Sequence, residues 1–369
     1  MMKQRRLPHD VQNRLTQEGA RGESFGAYYD LEGRCLMEST SVGVDLARLK
    51  PTCRMVAAAA VISLFCGRYG LAPASVIKAV LGLAEKNMDA NIVLSVRMPR
   101  IILTLLVGAG LAISGAAFQG VFQNPLVSPD VLSVSSGAAF GAVVGIMVDF
   151  SEPMIIAAAL AAGCISVFLT YSGAKVQGKV SVLSLVLSGI IMAALFNALI
   201  SIMKYVADTE TQLPAITYWL LGSFAATTYR HVLTVLAPIL LGMAVLLAMG
   251  HKINVLSLGD EEALSLGIDP YWTRIGIIVA ATLATSACIT VTGIIGWVGL
   301  VIPHVARQLV GPNHSRLLPA SVLLGAMFMT LMDLLARTLL ATEIPVGVLT
   351  ALIGAPFFML LFHRQAGMQ

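Results

Sequence analysis

Charge is what this sequence has least of. Only 12% of its 369 residues are Asp, Glu, Lys or Arg, against 57% hydrophobic, where a soluble chain carries about 25% charged residues. A water-facing surface cannot be covered with so little charge. A soluble enzyme, a nucleic-acid module and a disordered tail protein are thereby excluded. The net charge of +4 gives no electrostatic footprint for nucleic acid. Cysteine is sparse and unpatterned: Cys35, Cys53, Cys66, Cys164 and Cys288 form no CxxC or other ligand spacing, so neither structural disulfides nor a metal site is expected. No HExxH and no GxSxG occurs, and the first ~50 residues lack the n-region and h-region of a secretory signal.

What the sequence does have is long apolar runs between small charged islands. Of the 24 basic and 20 acidic residues, 16 fall in the first 54 positions, and residues 101–203 hold only Asp130, Asp149, Glu152, Lys175 and Lys179. Runs of about 20 apolar residues are long enough to cross ~30 Å of hydrocarbon. Lipid offers no partner to an unpaired backbone group, so the runs are expected to be helices. The pattern predicts an all-α polytopic membrane protein with ten spans, near 55–67, 101–122, 131–148, 154–172, 181–204, 231–250, 275–295, 297–310, 319–338 and 346–362. Residues 1–54 read as a loosely ordered cytoplasmic tail and 55–369 as the transmembrane domain. The first span is short, with 13 residues between Arg54 and Arg68. Either Ala47–Cys53 extends it or the arginines snorkel; a re-entrant or truncated helix is the alternative.

With the N-terminus inside, 16 Lys and Arg lie on the cytoplasmic side and 8 outside; without the tail the count is 7 against 8. The positive-inside rule then decides nothing, and the outer arginines need another explanation. Gly137, Gly141 and Gly145, and again Gly293, Gly296 and Gly299, sit at spacings that let helices approach closely. Gly173-Ala174-Lys175-Val176-Gln177-Gly178-Lys179 imitates a phosphate-binding loop. It fails at Val180, where Ser or Thr is needed, and it follows a span rather than a strand. His304, beside Pro303 in an apolar run, reads as packed or interfacial. Asp333 and Arg337 are four apart on one helical face and are expected to pair.

Two polar segments carry more. Arg97-Met98-Pro99-Arg100 makes a compact basic patch at one surface, and after a span comes Asn124-Pro125-Leu126-Val127-Ser128-Pro129-Asp130. The two prolines prevent a regular helix there. Irregular backbone at membrane depth must line a cavity or be buried in protein; an ordinary interfacial loop is the other reading. The second segment lies in the connection 251–274: Leu258-Gly259-Asp260-Glu261-Glu262-Ala263-Leu264-Ser265-Leu266-Gly267. Its glycines bracket about two helical turns, and its three acidic residues suit a helix N-terminus. So short a helix cannot hide Ala263, Leu264 and Leu266 by itself. It is shaped either for a groove on another protein or to lie back on its own bundle.

At these residues the chain resembles the FecCD-type permeases of ABC importers, which move ferric siderophores, haem and vitamin B12. The likeness runs from about residue 70 to 362. It also rests on Ser114-Gly115-Ala116-Ala117-Phe118-Gln119-Gly120, Ser135-Ser136-Gly137-Ala138, Tyr218-Trp219-Leu220-Leu221-Gly222, Gly296-Trp297-Val298-Gly299-Leu300-Val301-Ile302-Pro303-His304, Glu343-Ile344-Pro345-Val346-Gly347 and Gly354-Ala355-Pro356. The tail and the short first span depart from the family. The resemblance implies ten helices per subunit with inverted repeats, a dimer with a path at its interface, and docking of an extracytoplasmic binding protein onto arginines matching Arg97, Arg100 and Arg337. It also implies a cytoplasmic gate at Asn124, Pro125, Leu126 and Ser128, and coupling helices at 258–267 that insert into the ATPase.

The expected protein is therefore the permease subunit of an importer in the cytoplasmic membrane, with both termini cytoplasmic and no chemistry of its own. Its expected partners are a second permease copy, two ATPase subunits, a substrate-binding protein and lipid, but no nucleic acid. ATP and Mg²⁺ belong to the ATPase, and the chain itself is expected to bind no cofactor or metal. A ferric siderophore is the expected cargo, with haem or vitamin B12 as alternatives. An ion-coupled secondary transporter would need buried relay carboxylates. Only Asp130 and Asp333 lie near the spans, and both sit towards span ends.

Overall fold

The computed structural model describes residues 27–29, 35–38, 46–83, 87–176 and 179–366. Most of the tail 1–54, and with it the expectation of loose order there, lies outside these residues, as do Gln177 and Gly178 of the phosphate-loop imitation. The chain divides into two units, Met1–Arg48 and Leu49–Gln369. The first contains a short antiparallel ribbon, β1 (Ala27–Tyr29) with β2 (Cys35–Glu38), bulged between Tyr28 and Tyr29.

The rest is helical, apart from a second ribbon of β3 (Lys175–Val176) and β4 (Lys179–Val180). In chain order the helices are α1 (Leu46–Phe65), α2 (Pro73–Val80), α3 (Met88–Val121), α4 (Val134–Met147), α5 (Glu152–Gly173), α6 (Val182–Val206) and α7 (Gln212–Leu221). They continue with α8 (Tyr229–Ala248), α9 (Gly250–Leu256), α10 (Asp260–Ser265), α11 (Pro270–Thr292), α12 (Val298–Val310), α13 (His314–Thr338) and α14 (Val346–Ala366). A helix lies at each of the ten expected positions, as α1, α3–α6, α8 and α11–α14. Six helices (α3, α5, α6, α8, α11 and α13) are long and apolar enough to cross a membrane on length and composition alone. Helices α4 and α12, and the stretch Val346–Met359 of α14, are shorter apolar segments.

The first span is a continuous helix of 20 residues, about 30 Å long at 1.5 Å per residue. The extension through Ala47–Cys53 therefore holds, and the truncated alternative does not. Pro51 is tolerated near its start, and Arg48, Lys50 and Arg54 occupy its first half. Helix α3 is the opposite case. It starts at Met88 rather than 101, and a six-residue π turn at Ile92–Arg97 lets it continue into the connection that reads as polar.

Small residues set the packing. Helices α3 and α13 cross with Gly108 against the carbonyl of Gly325, and the reverse, so a Cβ at either would meet backbone. One turn away the hydroxyls of Thr104 and Thr330 pair at 3.2 Å in the buried crossing. Further along α3, Gly115 lies on Gly299 of α12. Gly137 and Gly141 face Ser166, Ala158 and Ala162 of α5, which is the packing role their spacing predicts.

Candidate functional site

Polar groups concentrate at the two ends of the bundle. At one end the C-terminus of α1, the start of the apolar part of α3, the last turns of α13 and the connection 339–345 meet. Arg97, Arg100 and Arg337 are brought together there as expected, but they are only 4%, 6% and 5% exposed. Arg100 holds Asp333 with two nitrogens, at 2.9 Å from Nε and 2.8 Å from Nη2, and donates from Nη1 to Glu343 at 2.9 Å. Arg97 donates to the carbonyls of Leu64 (2.6 Å), Phe65 (3.1 Å) and Tyr69 (2.6 Å). Arg337 donates to the carbonyl and hydroxyl of Ser63, each at 2.5 Å.

The physical logic is helix capping. The last carbonyls of α1 have no partner within the helix and carry partial negative charge. Two guanidiniums, fixed by α3 and α13, satisfy them. The expected Asp333–Arg337 pair exists, but at 3.5 Å it is secondary to the bidentate bond from Arg100. Asp333, which is fully buried, thus has its charge matched and is not a free relay carboxylate. Three guanidiniums face two carboxylates, so the cluster keeps a net positive charge.

Close to this end a cavity of about 360 Å³ is lined by Glu152, Tyr218, Trp219 and His231 among others. The backbone N–H of Thr228 donates to Nδ1 of His231 at 3.1 Å, so Nε2 carries the proton and donates to Glu152 at 2.9 Å. The same end holds a junction of three glycines. A Cβ on Gly222 would strike the carbonyl of Ile294, one on Gly293 that of Trp219, and one on Gly347 those of Leu221 and Ile294. The N–H of Ser223 donates to the carbonyl of Thr292 at 2.7 Å. The sequence shows these glycines inside motifs but not that they touch.

At the opposite end lie the proline-rich segment and the short acidic helix. Asn124, Pro125 and Leu126 are exposed and Ser128 is half-buried. The Asn124 side chain accepts from the Leu126 N–H at 2.9 Å, a local turn that fixes the exposed tip. Gln123, with φ of 49°, donates to the Leu256 carbonyl at 2.8 Å and ties the tip to α9. Beyond the tip the chain enters the bundle as a 3₁₀ turn, Pro129–Leu132. There the Val131 carbonyl packs on Gly189 of α6 and Pro129 on Gly299. Ser135 donates to Asp130. The interfacial-loop reading therefore fits the tip, while Val127, Pro129 and Leu132 behind it are buried in protein. Nearby, Arg307 of α12 donates to the Gln119 amide oxygen at 3.0 Å, and His304 is half-buried on the same helix.

Helix α10 is bracketed by Gly259 (φ 127°) and Gly267 (φ 76°), as its sequence predicts. Asp260, Glu261 and Glu262 fill its first turn, and the Glu262 carboxylate folds back over Gly259. Ala263 is fully buried while Leu264 and Leu266 are 60% and 47% exposed. The helix thus spends its smallest apolar residue on its own bundle and presents the two largest outward. Arg274 of α11 makes a bidentate ion pair with Asp260, at 2.8 and 2.5 Å. Sequence reasoning missed this contact because the partners are separated by a turn and 14 positions.

Comparison with known proteins adds to this geometry. A sequence model of the FecCD transport family matches residues 55–364. The chain is 40% identical over 309 residues to the molybdate import system permease protein MolB of Haemophilus influenzae, covering 83% of this chain and 92% of that one. It is 41% identical over 283 residues to a probable iron chelatin transport system permease protein of Helicobacter pylori, covering 77% and 86%. It is also 41% identical over 279 residues to the cobalamin import system permease protein BtuC of Halobacterium salinarum, covering 74% of each. Among solved structures, an inward-facing conformation of an ABC transporter assigned to the metal-chelate type shares 39% identity. Its TM-score is 0.79, with 86% of this chain and 99% of that one covered.

Proposed function

We propose that this chain, which belongs to the FecCD transport family and is an integral-membrane permease of an ABC importer, moves a ferric chelate into the cytoplasm by alternating access. Both termini face the cytoplasm. The chain pairs with a second copy and sits on two ATPase subunits, which use ATP and Mg²⁺. A delivery protein approaches from outside. The observation that carries this reading is α10. A short acidic-tipped helix that buries Ala263 and exposes Leu264 and Leu266 is built to seat in a groove of another protein.

The proposed sequence of events starts at the arginine end. Arg97, Arg100 and Arg337 serve docking by holding the end of α1 and the connection 339–345 in one shape, and their surplus positive charge attracts an acidic partner. At the other end Asn124, Pro125, Leu126 and Ser128 form the inner gate. Residues 258–267 pass ATPase movement to the bundle. The ferric chelate is supported by the iron chelatin permease among the relatives. Molybdate is a second reading, supported by the match that spans 92% of the molybdate permease.

The test is reconstitution of the chain in vesicles with its ATPase and its delivery protein. ATP-dependent accumulation of a radiolabelled ferric chelate is expected. Accumulation of molybdate or cobalamin instead would reassign the cargo. Uptake that proceeds without the ATPase and collapses with the proton gradient would overturn the importer mechanism.

A further inference from the structure

Helix α10 could be a loose appendage. It is six residues long, too short to be stable alone, and both flanking glycines adopt backbone conformations that only glycine takes readily. Gly267 also faces open space, with nothing near where a side chain would stand. Gly267–Asp269, between α10 and α11, is therefore a ready joint. One backbone bond, from the Ile268 N–H to the Ala263 carbonyl at 2.9 Å, closes its inner side.

The Asp260–Arg274 ion pair bridges the same joint from outside. It reaches from the first residue of α10 to the second turn of α11, with Nη1 donating to Oδ2 and Nη2 to Oδ1 of the carboxylate. Such forked bonds fix orientation as well as distance. Among the described residues no side-chain hydrogen bond or ion pair joins α10 to α9, the helix before it. In side-chain polar bonds the fastening is one-sided: α10 packs beside α9 across Gly259, and its ion pair ties it to α11.

Helix α11 is suited to receive that load. The Asp269 side chain caps its start, accepting from the Tyr271 N–H at 2.8 Å and the Trp272 N–H at 3.2 Å. It then runs unbroken through Thr292, whose carbonyl holds Ser223 at the three-glycine junction of the opposite end.

We propose that Arg274 is a positioning residue of the transport cycle. By locking Asp260 it makes α10 and α11 one rigid body, so that displacement of the acidic helix by the ATPase arrives at the far end of α11 instead of being absorbed at Gly267. This rests on the assignment of α10 as the ATPase contact.

The experiment measures cargo moved per ATP hydrolysed by the complete complex in vesicles. The probe is a radiolabelled ferric chelate, or molybdate if the wild-type complex takes that. Arg274→Ala is expected to lower the ratio about three- to fivefold, the range open to one partly exposed, well-oriented pair. Arg274→Gln, which keeps most of the stem, should do the same. The exchange Asp260→Arg with Arg274→Asp should recover the ratio to within about twofold of wild type, where either exchange alone does not. A purely stabilising pair would change the amount of folded complex and leave the ratio alone. An unchanged ratio in Arg274→Ala, or an exchanged pair no better than its single variants, overturns the proposal. A wild-type complex that hydrolyses ATP and moves no cargo overturns the permease reading instead.

Discussion

The two ends of this bundle solve opposite problems with the same kinds of residue. At the arginine end, charges are folded inward. Three guanidiniums, two carboxylates and the carbonyls of Ser63, Leu64, Phe65 and Tyr69 satisfy one another. At the other end, charge and apolar bulk are turned outward on α10, held by one ion pair between two glycines. The comparison teaches that a cluster of arginines need not be a handle. A buried cluster whose guanidiniums hold carboxylates and helix-end carbonyls is a joint, and its removal costs folding. A half-exposed short helix costs little to alter and is where a partner can act.

The sharpest way to break that comparison is Arg100→Ala, which leaves the buried Asp333 with only its 3.5 Å contact to Arg337. A loss of about 3–5 kcal/mol is expected, read by unfolding in detergent, with partial recovery when Asp333→Asn removes the stranded charge. A wild-type unfolding curve for Arg100→Ala would show that this end is no joint. Next comes Arg97→Ala, which strips three carbonyls of their donor and should destabilise by about 1–3 kcal/mol. Susceptibility of the α1 C-terminus to hydrogen exchange is its specific readout. At the opposite end, Gln123→Ala removes one hydrogen bond to Leu256 and should cost about 0.5–1.5 kcal/mol. The smallest effect on stability is predicted for Leu264→Asp, within about 0.5 kcal/mol, yet it should separate ATP turnover from transport. Normal coupling in that variant would take α10 out of the mechanism and erase the contrast between the ends.

Much of this was legible in the sequence, and the pattern of what was not is physical. Long apolar runs reveal helices because length and hydropathy are one-dimensional quantities, and each of the ten expected runs is helical. The bounds of α10 were legible for a similar reason, since Gly259 and Gly267 punctuate it. The start of α1 at Leu46 was not, because Arg48, Lys50 and Arg54 break the apolar run without breaking the helix. Nor were α2 and α7, which hide in connections that read as polar. Arg97 and Arg100 read as one basic patch, and the family resemblance added Arg337 to them. Whether their guanidiniums face water or the carbonyls of α1 is a matter of side-chain direction, which no spacing encodes. The embedded turn at Pro129–Leu132 was half legible: the prolines forbid a helix, but burial depends on Gly189 and Gly299 arriving from elsewhere.

The meeting of Gly222, Gly293 and Gly347 has a consequence for how such a protein can change over generations. Backbone against backbone leaves little to adjust: every available substitution there is larger, and a Cβ on any member would strike the backbone of another segment, on Gly347 of two. Adaptation to a new cargo must therefore be written in other positions while this spot stays frozen. Anyone redesigning the protein for another payload should treat those three glycines as fixed scaffolding and diversify around them.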